Sequence, residues 1–209
     1  MRPQQPFKQQ LLVEGNDDQH VIWALCQKFR IPQTFDVIDC KGIDKLYRQI
    51  EGRILSPDTE TLGIIIDADM DLATRWRQLK AKFDLDISGL PEDFPPNGLI
   101  HQEENNTKIG VWIMPDNNLN GMLEDFIRFL VPENDGLFPE VQKHIQHIEN
   151  QGLHQYKPIH QSKALIHAWL ALQEDPGTPM GLAITKRYLT TDAAKCADLI
   201  QWLNDLFNS

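Results

Sequence analysis

Along the first 130 residues the hydrophobic positions switch between two periods. The runs "QQLLVEG" (9–15), "FDVIDC" (35–40) and "TLGIIIDAD" (61–69) are short, rich in Leu, Val and Ile, and end in acidic or turn residues, the signature of strands. Between them the period lengthens. Val21, Ile22, Leu25 and Phe29, then Ile43, Leu46, Tyr47 and Ile50, recur at spacings of three and four, which predicts a helix after each of the first two strands. Strand, helix, strand, helix, strand at this spacing predicts a parallel sheet with right-handed crossovers. The segment "LGIII" has no polar alternation and belongs at the sheet centre, covered on both faces.

The pattern continues with a third helix, "DLATRWRQLKAKF" (71–83), a proline-rich loop, "PEDFPPNG" (91–98), and two apolar runs, "GLIHQE" and "KIGVWIMP", that flank "ENNT" as a hairpin or adjacent strands. Next, Leu119, Met122, Leu123, Phe126, Ile127 and Leu130 form one helical stripe, with Asp116-Asn117-Asn118 placed as its N-terminal cap. The tail from 140 to 209 reads as four shorter helices broken at "NQG", "EDPGTP" and "TTDAA". The expected architecture is a single α/β domain over 1–209: a mainly parallel, Rossmann-like sheet flanked by helices over about 9–131, and a helical C-terminal cap over about 138–209.

Composition narrows the class. The 209 residues are 41% hydrophobic and 24% charged, ordinary values for a globular chain. The polar start "MRPQQPFKQQ" lacks the apolar core of an export signal, and "ALIHAWLAL" falls well short of the ~20 residues of a membrane span. Three widely spaced cysteines, Cys26, Cys40 and Cys196, form no CxxC pair and fit neither a disulfide framework nor a zinc knuckle. Together these features predict a cytoplasmic protein with no membrane partner. A formal charge of −10 excludes a surface that coats duplex DNA through lysines and arginines. DNA or RNA could then be engaged only through a local basic groove or a bound metal.

The chemistry concentrates at strand ends. Open parallel sheets bind ligands at the carboxyl ends of their strands. Glu14 closes the first strand, Asp18 lies one helical turn later, and Asp67 and Asp69 close the third, two residues apart and so expected on one side. Asp71 follows. Crowded carboxylates repel, and a divalent cation removes that cost. Mg²⁺ or Mn²⁺ fits an all-oxygen set, whereas zinc would ask for histidine or cysteine that this edge lacks. For Asp17 and Asp71 a capping role at a helix start accounts equally well for the residue type. The basic candidates are Lys41, Lys163 and the Lys186-Arg187 pair. His144, His147, His154, His160 and His167 match no standard zinc spacing, and Trp112, Trp169 and Trp202 sit in apolar patterns that place them in the core.

"LLVEGNDD" followed some fifty residues later by "LGIIIDADMD" resembles the Toprim domain of topoisomerases, bacterial primases, small ribosomal RNA maturases and OLD-family nucleases. The likeness covers residues 9 to about 84, with "CKGIDKL" similar to the glycine-containing turn after the second Toprim strand. "VWIMPDNNLNGMLEDF" and "KALIHAWLALQEDPGTPMGLAI" look like an uncharacterised family of stand-alone Toprim-related proteins, with OLD-type nucleases as more distant relatives. This resemblance implies a metal-dependent phosphoryl-transfer enzyme, a nuclease acting on DNA or RNA. Glu14, Asp67, Asp69 and Lys163 would be its catalytic residues, and Glu14, Asp18, Asp67, Asp69, Asp71 and Glu124 its metal ligands. For Glu124 the alternative is a surface ion pair with Arg128, four residues on. No GxxxxGK[ST] loop occurs, so an ATPase of the OLD type would be a separate partner. The competing reading is a non-catalytic Toprim-like module that binds metal or nucleotide. Convergence of Lys41, Lys163 or Lys186 on the acidic edge would favour catalysis.

Overall fold

The computed structural model describes residues 7–83, 87–102 and 107–209. Within these residues five strands form one sheet: β1 (Gln9–Val13), β2 (Asp36–Asp39), β3 (Thr61–Asp67), β4 (Leu99–His101) and β5 (Lys108–Met114), in the order β2-β1-β3-β5-β4. β1 pairs parallel with β2 and β3, β3 pairs parallel with β5, and only β4 runs antiparallel, as the edge partner of β5. The α/β architecture and mainly parallel sheet agree with the sequence pattern. The β4–β5 connection is the hairpin that the pattern left open against adjacent strands; most of its "ENNT" turn lies outside the described residues.

Among the described residues eight α-helices join and cover the strands: α1 (Asn16–Phe29), α2 (Ile43–Ile54), α3 (Leu72–Lys80), α4 (Leu123–Phe129), α5 (Leu137–Asn150), α6 (Gln161–Leu170), α7 (Met180–Thr185) and α8 (Ala194–Phe207). Successive residues of the central strands feed opposite faces, as a pleated strand requires. Leu11, Val13, Ile65, Trp112 and Met114 enter one core with α1, α4 and α6 to α8. Leu12, Ile64, Ile66, Val111 and Ile113 enter the other with α2 and α3.

Two glycines set how closely α8 can approach. Gly63 and Gly110 are register partners on β3 and β5. A Cβ on Gly110 would fall 2.3 Å from Leu206 Cδ2, and one on Gly63 would fall 2.8 Å from Phe207 Cζ. Their missing side chains let α8 lie directly on the sheet, so it is part of the core.

The stripe predicted to start near Leu119 begins later. α4 opens at Leu123, and Leu119 is exposed. Asp116 caps a turn rather than the helix: its Oδ1 accepts from the backbone N–H groups of Asn118 (3.1 Å) and Leu119 (2.9 Å), and its Oδ2 pairs with Lys195 at 2.9 Å. A short polar run suits a turn and a helix cap equally, because both use a side-chain oxygen on a nearby N–H.

Candidate functional site

In this strand order the connections leave β1 in one direction and β3 in the other, which makes the gap between their carboxyl ends the topological switch point. A cavity of about 520 Å³ opens there, lined by acidic and basic side chains that include Glu14, Asp18, Asp67, Glu124, Lys41 and Lys163. Each arrives from a different element. Glu14 follows the last residue of β1, Asp67 is the last of β3, Asp18 stands in the first turn of α1, Glu124 in that of α4, and Lys163 in that of α6.

Local hydrogen bonds fix these positions. The Gly15 N–H donates to Asp18 Oδ2 at 3.0 Å, so Asp18 closes the start of α1 with one oxygen. Its other oxygen, Oδ1, is buried without a hydrogen-bond partner, and so is Glu14 Oε2. Asp67 Oδ1 accepts from the Leu123 N–H at 3.0 Å, joining the end of β3 to the start of α4. The turn after β2 is tied to β1: the Gly42 N–H donates to the Glu14 carbonyl at 2.8 Å and the Cys40 N–H to that of Val13 at 3.0 Å. Lys41 and Gly42 both have positive φ, 59° and 106°, which turns the chain tightly enough to present Lys41 at the cavity.

The electrostatics are those of several buried carboxyls close together. Burial, reinforced by Glu14, pushes the Asp18 carboxyl up to about 7. Burial together with Asp18, Glu14 and Glu124 holds Asp67 well above the usual carboxylate range. Burial also raises Glu14, against the opposing pull of Arg75. Glu124 is 3% exposed, and its Oε1 lies 3.3 Å from Lys163 Nζ. Burial works against the Lys163 charge, but Glu124, Asp17 and Asp67 prevail and leave its pKa raised.

Three expectations change. Asp69 and Asp67 do not share one strand face: β3 ends at Asp67, and Asp69 takes a left-handed φ of 55°. There Asp69 exchanges backbone hydrogen bonds with Gly121 and pairs its carboxylate with Arg75, beside the cavity rather than lining it. Asp71 also stays outside the cavity lining; its carboxylate caps α3 through the Thr74 N–H (3.1 Å) and hydroxyl (2.8 Å). Glu124 is not a surface partner of Arg128 but a buried partner of Lys163. Asp17 lines the cavity, and Lys186 lies away from it, paired with Asp175.

Sequence reasoning did not single out Arg75. It binds Asp69, lies 3.4 Å from the Tyr47 hydroxyl, and bears electrostatically on Glu14. Its position four residues after the helix-capping Asp71 carried no signal of that role.

Among the described residues, no three His, Cys, Asp or Glu side chains gather closely enough to hold a metal ion between them. Mg²⁺ does not need a closed cage: it binds through one or two carboxylates and keeps several waters. The two unpartnered buried oxygens, an oxygen-only acidic set and carboxyls whose pKa is raised by burial and by one another all fit such an ion. One or two of the cavity's carboxylates, among Glu14, Asp18, Asp67 and Glu124, would hold it.

Among the described residues no helix is long and apolar enough to cross a membrane. The chain is similar to solved structures of the C-terminal region of the Xanthomonas campestris pv. campestris OLD protein. The form phased with iodine is 14% identical over 95% of this chain and 94% of that one, with a TM-score of 0.42. The form phased with mercury is 14% identical over 91% and 82%, with a TM-score of 0.38. No curated protein matches the chain. The family described as "Protein of unknown function (DUF3226)" matches residues 8–208, nearly the full length, and the chain belongs to that family.

Proposed function

We propose that this chain is a Toprim-type, divalent-metal-dependent phosphoryl-transfer enzyme, a nuclease acting on DNA or RNA phosphodiesters. One observation carries the reading: Glu14 from β1 and Asp67 from β3 meet at the switch point, and Lys41 and Lys163 line the same cavity. Carboxylates alone would repel a phosphodiester, and lysines alone would bind it without placing a metal. Together they suit a bound cation and the anion it activates. The Toprim-like motifs place acids at these same two strand ends, which adds support from the sequence.

A divalent cation bound here supplies Lewis acidity to a phosphoryl oxygen and neutralises developing charge. The protein's own residues would do the rest. Glu14 and Asp67 would hold the cation, and Asp18 and Glu124, at two helix starts, would accept hydrogen bonds from its waters. Lys163, half exposed, would offset negative charge on the phosphate, and Lys41, which lines the same cavity, would add to it. Arg75 holds Asp69 beside the cluster, so Asp69 tunes its charge from outside the cavity. Any nucleotide-driven ATPase acting with the chain would be a separate protein.

The test is cleavage of end-labelled single- and double-stranded DNA and RNA with Mg²⁺ or Mn²⁺, comparing the wild type with Asp67→Asn and Lys163→Met. The expected result is metal-dependent cleavage that falls by about 10²-fold or more in each variant. Cleavage by neither metal, or cleavage unchanged in Asp67→Asn, contradicts the proposal.

A further inference from the structure

The chain has five tryptophans, and four are core residues: Trp76, Trp112, Trp169 and Trp202 are between 0% and 2% exposed. Trp23 is 40% exposed. It lies in a groove of about 590 Å³ between α1 and α7, where the His20 ring meets the indole edge-on at 5.2 Å. Gly181 builds this groove: a Cβ there would fall 2.5 Å from the His20 carbonyl oxygen, so the glycine lets α7 lie against the α1 backbone. Leu182 and Thr185 of α7 form part of the lining.

The charge of the groove is unlike that of the rest of the protein. The chain carries 30 acidic residues, yet none lines the groove, whereas Arg30 and His20 do. Among the described residues no ion pair engages the exposed Arg30. Asn16, His20, Trp23 and Gln27 follow one another at spacings of four and three, a single stripe along α1, and Arg30 ends the helix as its left-handed cap. The first member of the stripe lines the acidic cavity, and the others, with Arg30, line the groove. The stripe therefore leads from one site to the other, with Trp23 about 10 Å along the helix axis from Asn16.

We infer that this groove binds single-stranded nucleic acid, with a base stacked on Trp23 and the backbone steadied by Arg30, beside the phosphate-handling cavity. The inference rests on the phosphodiester reading above and adds a substrate class to it: single strands rather than duplex. An exposed aromatic next to a cation suits unpaired bases, whose faces are free to stack, and every base has such a face. A duplex keeps its bases stacked on one another and offers Trp23 only its backbone.

The test uses the full chain in EDTA, so that it does not depend on a metal. The probe is an oligothymidylate of about twelve nucleotides, within the site sizes of single-strand binders, with a duplex of equal length as comparison. The expected result is tighter binding of the single strand, accompanied by quenching of tryptophan emission. Affinity should fall between about five- and 150-fold in Trp23→Ala and be largely retained in Trp23→Phe. Arg30→Ala should lower the salt dependence by about one phosphate contact. Both positions are exposed, and unchanged thermal melts would show that the variants fold.

The inference is overturned if Trp23→Ala binds like the wild type, if the duplex binds as well as the single strand, or if neither binds. It is also overturned if Trp23 emission shifts to the blue with protein concentration alone, since a second copy would then cover the groove. Trp23-dependent binding by a protein that fails to bind metal leaves the groove standing and removes the metal enzyme. Metal binding without Trp23 dependence does the reverse.

Discussion

Lys163 Nζ stands 3.3 Å from Glu124 Oε1, and the two ends of this ion pair differ in burial: the lysine side chain is 49% exposed and the glutamate side chain 4%. The pair joins α6 to α4 in the lining of the acidic cavity. A buried carboxylate that loses its partner is costly, whereas a half-exposed lysine that loses its partner is hydrated. The two ends should therefore respond differently to substitution. Lys163→Met should destabilise the metal-free protein by about 1 kcal/mol, near the low end for an orphaned buried charge because the lysine is partly solvated. Glu124→Gln should leave stability unchanged or raise it. Urea unfolding of both variants checks the asymmetry, and equal losses would contradict it.

The cluster also predicts how stability depends on pH. Asp18 holds its proton up to about 7 in the folded chain, against 3.8 for the ordinary residue. Between those values folding takes up a proton, so the Asp18 contribution is complete below about pH 3.8 and is lost as pH rises to about 7. The slope from this one group is at most about 1.4 kcal/mol per pH unit. Asp18→Asn removes it. Unfolding measured from pH 4 to 8 should show a flatter decline in the variant and a more stable variant at pH 8. Parallel curves would mean that Asp18 is not held protonated.

Asp71 gives a control for the metal reading. Its carboxylate is fully engaged at the start of α3 and does not line the cavity. Asp71→Ala should lower the melting temperature through the lost cap and leave Mg²⁺ or Mn²⁺ affinity unchanged. A drop in metal affinity matching that of Asp67→Asn would place Asp71 among the ligands.

The contact between Gly110 and Leu206 yields a prediction about the fold alone. Gly110→Ala places a methyl 2.3 Å from Leu206 Cδ2 and should cost about 1–3 kcal/mol through overpacking. Leu206→Ala alone should cost about 2–5 kcal/mol. The double variant should be more stable than the sum of the two losses implies, because the shortened side chain makes room for the methyl. Additive losses would show that α8 does not close on the sheet through these residues.

Much of this architecture is legible in the sequence, because burial on both faces of a parallel strand leaves a continuous apolar run such as "LGIII", and crossover helices show their own period. The helix starts are harder to read. Asp116 reads as a cap yet makes a turn, since the same side-chain bond serves both. Glu14 and Asp67 can be found at the cavity from strand ends and the rule that ligands bind there. Asp69 misleads, because a left-handed residue after a strand breaks the alternation that would place it beside Asp67. The partnership of Lys163 with Glu124 joins residues 39 apart on different helices, and the exposure of Trp23 depends on α7. Both follow from tertiary packing, which a local pattern does not encode.

The most direct test of the account is calorimetric titration of the wild type and of the Glu14→Gln/Asp67→Asn double variant with Mg²⁺ and Mn²⁺. Both substitutions preserve shape and remove the repelling charge, so the variant should be at least as stable as the wild type. The account predicts binding by the wild type and none by the variant. Absence of binding by the wild type, with an oligonucleotide added as well as without, or binding that survives in the folded variant, would contradict a metal site at the junction of β1 and β3.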